Sequence, residues 1–140
     1  MKNFKNKVVV ITGAASGMGR SYALMFARLG SKVAICDYDK KGLKETEKLV
    51  RQAADVQLYS AKLDVSDKAG VYAFAQAVKA ALGDAHVIIN NAGVSGEGRP
   101  VWALSDDSYE RVMGINFWGV VHGTRAFLPQ LLANGEGAVV

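Results

Sequence analysis

Short apolar runs alternate with longer amphipathic stretches along most of the chain. The runs predict strands at 7–12, 32–37, 56–61 and 86–89, and apolar positions at helical spacing predict helices at 18–29, 39–53 and 67–82. Each predicted strand is a nearly continuous apolar run, which is expected when helices cover both faces of a parallel sheet. The pattern therefore predicts an α/β fold, with one doubly wound parallel sheet and helices on both of its faces.

The C-terminal third departs from this regular alternation. Residues 90–105 form a glycine-containing irregular segment after the fourth strand, where loops of parallel sheets face a ligand crevice. A helix is then predicted over 106–132, with Asp106 and Asp107 as candidate caps, and it is apolar on nearly all sides. Such a helix needs cover on more than one side, so we expect self-association through it. A fifth strand begins at Ala138, so the single predicted domain, 1–140, would be incomplete at its C-terminal side.

Composition narrows the functional classes. Half of the residues are hydrophobic and 21% are charged, which is typical of a folded globular domain. Cys36 is predicted to be a buried thiol, and neither it nor the isolated His86 and His122 suggests a metal site. The net charge of +4 comes from scattered basic residues with acids between them, so no nucleic-acid partner is expected. The first apolar run is too short for a signal peptide or a membrane span, so we expect a cytoplasmic protein without a membrane partner.

A glycine-rich turn lies between the first strand and the first helix. It reads Thr12-Gly13-Ala14-Ala15-Ser16-Gly17-Met18-Gly19. Its glycines let backbone amides approach a diphosphate closely, and the N-terminus of the following helix carries about half a positive charge. Together with the alternating pattern, this turn predicts a Rossmann-like sheet that binds a dinucleotide.

An acidic residue, Asp37, ends the second predicted strand. A carboxylate at this place can accept hydrogen bonds from both hydroxyls of an adenosine ribose, whereas a 2′-phosphate would face a like charge. We therefore expect NAD and regard NADP as less favoured. NADP remains an alternative because Lys40 and Lys41 lie close by and could offset the charge of a 2′-phosphate. The alternative is that Asp37 only starts a turn with Asp39.

Four motifs in order make the chain resemble the short-chain dehydrogenase/reductase family. They are the Thr12–Gly19 turn, the pair Asp64-Val65, the segment Asn90-Asn91-Ala92-Gly93, and Asn116 in the last helix. The resemblance implies NAD-dependent transfer of hydride between the nicotinamide and a small-molecule secondary alcohol or ketone. It also implies homo-oligomers that meet through the helix at 106–132.

The resemblance also assigns roles to these residues. Asp64, beside Val65, would bind the adenine amine, and Asn90 to Gly93 would stabilise the central strand and flank the cofactor. Asn116, the one catalytic residue that it places in this chain, would hold a water in a proton relay. The residues themselves leave alternatives open: a helix cap near Ser66 for Asp64, turn closure for Asn90 and Asn91, and a bond from Asn116 to its own helix.

One part of the family pattern is missing from the 140 residues. The family's catalytic serine and Tyr-x-x-x-Lys pair have no counterpart, since no tyrosine of the chain is followed four residues later by lysine. A tyrosine without such help has a pKa near 10 and is a poor acid–base at neutral pH. We therefore expect this chain alone to be inactive. We expect it to be the N-terminal part of an oxidoreductase, and the alternatives are a non-catalytic module for NAD binding or assembly and an inert, frameshifted product.

Overall fold

One five-stranded parallel sheet organises the protein. The computed structural model describes residues 3–140, and its strand order is β3-β2-β1-β4-β5. The strands are β1 (Val8–Thr12), β2 (Lys32–Asp37), β3 (Leu58–Lys62), β4 (Val87–Ile89) and β5 (Ala138–Val139). The helices are α1 (Gly17–Arg28), α2 (Lys40–Ala53), α3 (Lys68–Leu82), α4 (Asp106–Met113) and α5 (Gly119–Ala133).

Helices cover both faces of the sheet, which confirms the predicted doubly wound architecture. Alternate residues of one strand point to opposite faces. Val9 and Ile11 of β1 therefore belong to the core formed with α1 and α2, whereas Val8 and Val10 belong to the core formed with α3 and α5. The inner strands are buried on both sides for this reason.

The direction of winding reverses next to β1. The chain proceeds outwards from β1 through β2 to β3, and α3 then carries it back across the sheet to β4 on the other side of β1. In an open α/β sheet, a crevice forms at the carboxyl ends of the strands at such a switch point. The topology therefore places a candidate site between the loops that follow β1 and β4.

The edge strands differ from the expectation of strands covered on both faces. β3 has a strand neighbour on one side only and is half-buried, and it runs from Leu58 to Lys62 instead of over 56–61. On the other edge, β4 pairs with the short β5 through Val87–Ala138 and Ile88–Val139. The short β5 therefore forms this edge of the sheet, and β4 has a strand neighbour on each side.

The helix predicted over 106–132 is built from three segments. A π-helical stretch, Gly114–Trp118, separates α4 from α5. The prediction that Asp106 and Asp107 cap α4 is wrong, because Ser105 is the N-cap and its hydroxyl accepts a hydrogen bond from the amide of Ser108 at 3.3 Å. The two aspartates lie in the first turn, where their charge is favourable to the helix dipole. The preceding segment contains a short 3-10 turn, Val101–Ala103.

Candidate functional site

A cleft of about 350 Å³ lies at the switch point of the sheet. The turn after β1, the end of β2 and the loops after β3 and β4 all contribute to it. Its lining residues are Gly13, Ser16, Gly17, Met18, Asp37, Tyr38, Leu63, Asp64, Val65, Asn91, Ala92, Gly93, Val94 and Ile115. The structure thus brings together Gly13, Ser16, Gly17, Met18, Asp37, Asp64, Val65, Asn91, Ala92 and Gly93 of the predicted cofactor-binding residues, whereas Thr12, Gly19 and Asn90 do not line the cleft.

The glycine turn presents a helix N-terminus to this cleft. Gly13 and Gly17 have φ angles of 67° and 53°, a region that favours glycine. Ser16 is the N-cap of α1, but its side chain accepts no capping hydrogen bond. A Cβ at Gly17 would meet nothing within 4 Å, so the turn is open there. These features suit an anion such as a diphosphate, which would take the place of a cap.

Thr12 and Gly19 lie behind the turn instead of lining the cleft. Thr12 is buried, and its hydroxyl accepts a hydrogen bond from the Ala92 amide at 3.0 Å. A Cβ at Gly19 would stand 2.2 Å from the Gly13 carbonyl oxygen. Both residues therefore shape the turn: Thr12 fastens it to the loop after β4, and Gly19 lets α1 pack against it.

Asp37 has a structural role and also faces the cleft. Its Oδ2 accepts a hydrogen bond from the Ala15 amide at 2.8 Å, and its Oδ1 accepts one from the Asp39 amide at 2.8 Å. The alternative turn with Asp39 therefore exists. Each carboxylate oxygen has two lone pairs and can still accept from a ligand hydroxyl.

Asp64 follows β3 and also lines the cleft. Its Oδ1 accepts hydrogen bonds from the amide and hydroxyl of Ser66, at 2.9 and 2.7 Å. The N-cap position of α3 belongs to Asp67, so Asp64 closes a local turn and does not cap the helix. Val65 is buried beside it and contributes an apolar surface.

The two asparagines after β4 have different partners. The Asn91 amide donates to the carbonyl oxygens of Thr12 and Gly13, at 2.9 and 3.1 Å, and so joins β4 to the glycine turn. Asn90 points the other way and donates to the Thr124 hydroxyl of α5 at 3.2 Å. Both side chains therefore connect separate elements, and the alternative of local turn closure does not describe them.

Asn116 lies in the π-helical stretch and holds the loop after β4. Its Oδ1 accepts from the Val94 amide at 2.9 Å, and its Nδ2 donates to the Val94 carbonyl at 2.8 Å. The alternative of a bond to its own helix is thus wrong. Asn116 is exposed and does not line the cleft, although its neighbours Val94 and Ile115 do. π-Helical turns are frequent at functional sites.

The sequence analysis missed a polar network behind the glycine turn. Arg20 Nε donates to the Thr46 hydroxyl at 2.9 Å, and that hydroxyl donates to the Ala14 carbonyl at 2.8 Å. Thr46 is fully buried on α2, a helix that otherwise carries many charged residues. A threonine at a core-facing position of a charged helix was the available signal.

Other side chains give no sign of a second reactive centre. Cys36 is buried as predicted, and burial raises the pKa of its thiol far above the usual value. Within residues 3–140, no group of three or more His, Cys, Asp or Glu side chains is arranged to hold a metal ion. No helix of this described part has the length and apolar character needed to cross a bilayer.

Comparison with known proteins agrees with this geometry. The chain is 44% identical over its full length to SadH of Mycobacterium tuberculosis, of which it covers 50%. A short chain dehydrogenase/reductase from Burkholderia phymatum, solved in complex with NAD, superposes with a TM-score of 0.94 at 40% identity, over 99% of this chain and 49% of that one. A metagenomic short-chain oxidoreductase in complex with NADP gives a TM-score of 0.91 at 29% identity, over 97% of this chain and 61% of that one.

These matches cover nearly all of this chain but only part of each relative. The chain spans about half the length of the curated relatives it matches. The sequence pattern of the short chain dehydrogenases matches residues 7–140, which is nearly all of it. With a dinucleotide-type cleft at the switch point of a Rossmann-like sheet, the chain belongs to the short chain dehydrogenase family of oxidoreductases.

Proposed function

We propose that this chain binds NAD and forms the cofactor-binding part of an oxidoreductase that acts on a secondary alcohol or ketone. The observation that carries the proposal is the Asp37 carboxylate, which faces the same cleft as the uncapped N-terminus of α1. The helix N-terminus suits a diphosphate and the carboxylate suits a ribose diol, which together are the recognition elements of a dinucleotide.

Charge favours NAD over NADP at this site. A 2′-phosphate would approach Asp37 with a like charge, and such juxtapositions cost several kcal/mol. Lys40 and Lys41 are exposed at the start of α2, and Lys62 Nζ lies 4.9 Å from the centre of the Tyr38 ring. None of these cations pairs with Asp37 among the described residues, so its charge remains available to oppose a phosphate.

The remaining residues have supporting roles in this proposal. Asp64 and Val65 would hold the adenine, and Asn91, Ala92 and Gly93 would flank the nicotinamide half. A bound nicotinamide ring supplies the acceptor or donor of hydride. Asn116 would hold a water for proton transfer while its amide keeps Val94 in place.

Substitution of Asp37 by Asn tests the cofactor preference. Asparagine keeps an oxygen for the Ala15 amide but loses the charge. We expect Asp37→Asn to raise the Kd for NADH about tenfold, which corresponds to about 1.4 kcal/mol. The preference for NADH over NADPH should become smaller. Fluorescence titration with both reduced cofactors measures this. Asp55→Asn, at an exposed position outside the cleft, is the matched control. Unchanged affinities for both cofactors in Asp37→Asn would contradict the ribose assignment.

A second candidate function is a non-catalytic module for NAD binding or assembly. The exposed apolar side chains of the last helix favour it, and they also support our proposal that the chain forms homo-oligomers through residues 106–132. A hydride-transfer assay of the purified chain with NAD⁺ and simple secondary alcohols tests the non-catalytic module, because turnover would rule it out. NADH binding without turnover is expected of both functions, since the chain has no Tyr-x-x-x-Lys pair. A cytoplasmic location remains a prediction from the sequence.

A further inference from the structure

The two alanines in the middle of the glycine turn are held by the neighbouring strand. The Ala14 amide donates to the Cys36 carbonyl at 3.1 Å, and the Ala15 amide donates to Asp37 Oδ2 at 2.8 Å. Both amides are therefore occupied. The amides that remain for a ligand belong to the residues that follow, at the start of α1.

The carbonyl groups of the same alanines are held from α1 and α2. The Thr46 hydroxyl donates to the Ala14 carbonyl at 2.8 Å, and Arg20 Nη2 donates to the Ala15 carbonyl. Arg20 also donates through Nε to Thr46 at 2.9 Å. Every backbone polar group of the two alanines thus has a partner outside the turn, and Arg20 and Thr46 provide those on the carbonyl side.

A glycine of α2 permits this arrangement. A Cβ at Gly42 would lie 2.9 Å from both the Cβ and the carbonyl oxygen of Ala15. The first turn of α2 is therefore packed directly against the glycine turn, and the Gly42 carbonyl accepts a further bond from Arg20 Nη2 at 3.3 Å. The guanidinium consequently links α1, α2 and the turn in one cluster.

The charge of Arg20 is in an unusual position. It lies in the first turn of α1, where a positive charge opposes the helix dipole. Among the described residues, no carboxylate lies within ion-pair distance of it, so its neighbours are neutral carbonyl and hydroxyl groups. A bound anion at the N-terminus of α1 would turn this unfavourable placement into a favourable one.

We propose that Arg20 is a positioning residue for the diphosphate of the cofactor. Arg20 does not line the cleft and acts through the turn: with Thr46 it fixes Ala14 and Ala15, so that residues 16–18, at the start of α1, keep their place in the lining of the cleft. Its charge adds to the attraction of the helix N-terminus for a diphosphate. This inference rests on the proposed dinucleotide binding.

Replacement of Arg20 by Met tests the role. The substitution keeps the length of the side chain and removes the donors and the charge. We expect the Kd for NADH to rise about tenfold or more, because hydrogen bonds from a charged donor are lost, while the Kd for adenosine, which has no phosphate, changes by less than about twofold. The loss of NADH affinity should be smaller at high salt. In the unsubstituted protein, salt already screens the attraction between the Arg20 charge and the diphosphate. NMR titration measures both ligands.

Control variants keep the outcome interpretable. Arg28→Met makes the same change at an exposed position of α1 and should leave both affinities unchanged. If Arg20→Met does not fold, the pair Thr46→Val and Thr46→Ser replaces it: Val removes the hydroxyl and should weaken NADH binding, whereas Ser keeps the hydroxyl and should restore it.

The results separate this inference from the proposed function. Failure of the unsubstituted protein to bind NADH would overturn both. NADH binding by that protein, with unchanged affinity in folded Arg20→Met or Thr46→Val, would overturn the role of Arg20 alone. Equal losses for NADH and adenosine would also overturn it, because they would mean a general distortion of the cleft.

Discussion

Asp37 both builds the cleft and faces it. Its carboxylate accepts hydrogen bonds from the Ala15 and Asp39 amides, so the proposed ribose-binding position is joined directly to the glycine turn. Asn91 does the same from the opposite side, through the carbonyls of Thr12 and Gly13. These side chains therefore pre-organise the site before any ligand arrives, which lowers the entropic cost of binding.

His86 lies just before β4, at the amino ends of the strands and away from the cleft, and it makes the stability of the protein depend on pH. The Val8 amide donates to His86 Nδ1 at 3.2 Å, so this nitrogen must be unprotonated for the bond to form. Burial, followed by the charge of Lys7, lowers the pKa of His86 below its ordinary value of 6.5, although Glu136 and Asp84 oppose the shift.

We therefore expect the protein to lose stability as the pH falls below the ordinary histidine value. The unfolded chain binds the proton more readily than the folded one, so the contribution of neutral His86 is complete above pH 6.5 and is lost as the pH falls towards the lowered pKa. Thermal melts across this range measure it. His86→Leu should be less stable at neutral pH and should show a flatter profile. An identical pH slope in the variant would refute the assignment.

Local sequence was enough to single out the glycine turn and Asp37, because each lies in its own short segment at a strand end, and their role in cofactor binding stays a prediction. Arg20 and Thr46 escaped prediction because their role depends on a hydrogen bond between two separate helices, α1 and α2. Neither residue type suggests a role when its own helix is considered alone.

At the scale of elements, α5 is fastened to the sheet layer by a buried amide. Gln130 Nε2 donates to the Ala75 carbonyl of α3 at 3.0 Å, and its Oε1 accepts from the Ala85 amide at 3.0 Å. Both the glutamine and Ala85 are buried. This pair of bonds fixes how α5 lies against α3 and β4.

Gln130→Leu should destabilise the fold, because it leaves the buried Ala85 amide without a partner and removes the additional bond to the Ala75 carbonyl. We expect the free energy of unfolding to fall by about 2 kcal/mol or more, measured by urea denaturation. Gln76→Leu, at an exposed position of α3, is the matched control and should change it by less than about 0.5 kcal/mol. A loss of the same size in both variants would mean that the buried bonds are not its cause.

At the scale of the whole molecule, one surface carries a large share of the exposed apolar side chains. On the helical segment from α4 to α5 these include Met113, Phe117, Trp118, Leu128 and Leu132, and Leu132 is 70% exposed. The side of α5 that is buried against the protein uses a different set of residues, which are Gly119, Gly123, Ala126, Phe127, Gln130 and Leu131. The expected self-association therefore has a defined candidate surface.

We expect the purified protein to be at least a dimer in light scattering, and Leu128→Glu to shift it towards the monomer by placing a charge in the apolar interface. Met25→Glu provides the control. Met25 is 44% exposed on α1, and this helix covers the face of the sheet that is opposite to α5. A monomeric unsubstituted protein, or an equal effect of the two substitutions, would rule out this surface.

The sequence by itself determined the α/β alternation, the order of the main elements, the dinucleotide-type turn and the family resemblance, because strand burial, helix periodicity and tight turns are encoded by residues close in the chain. Only the tertiary structure decided the edge position of β3, the π-helical break at Gly114–Trp118, the partners of Asn90, Asn91 and Asn116, and the Arg20–Thr46 cluster. Each of these depends on which distant segments the sheet brings together, and hydrogen-bond partners across such distances leave no periodic signal in the sequence.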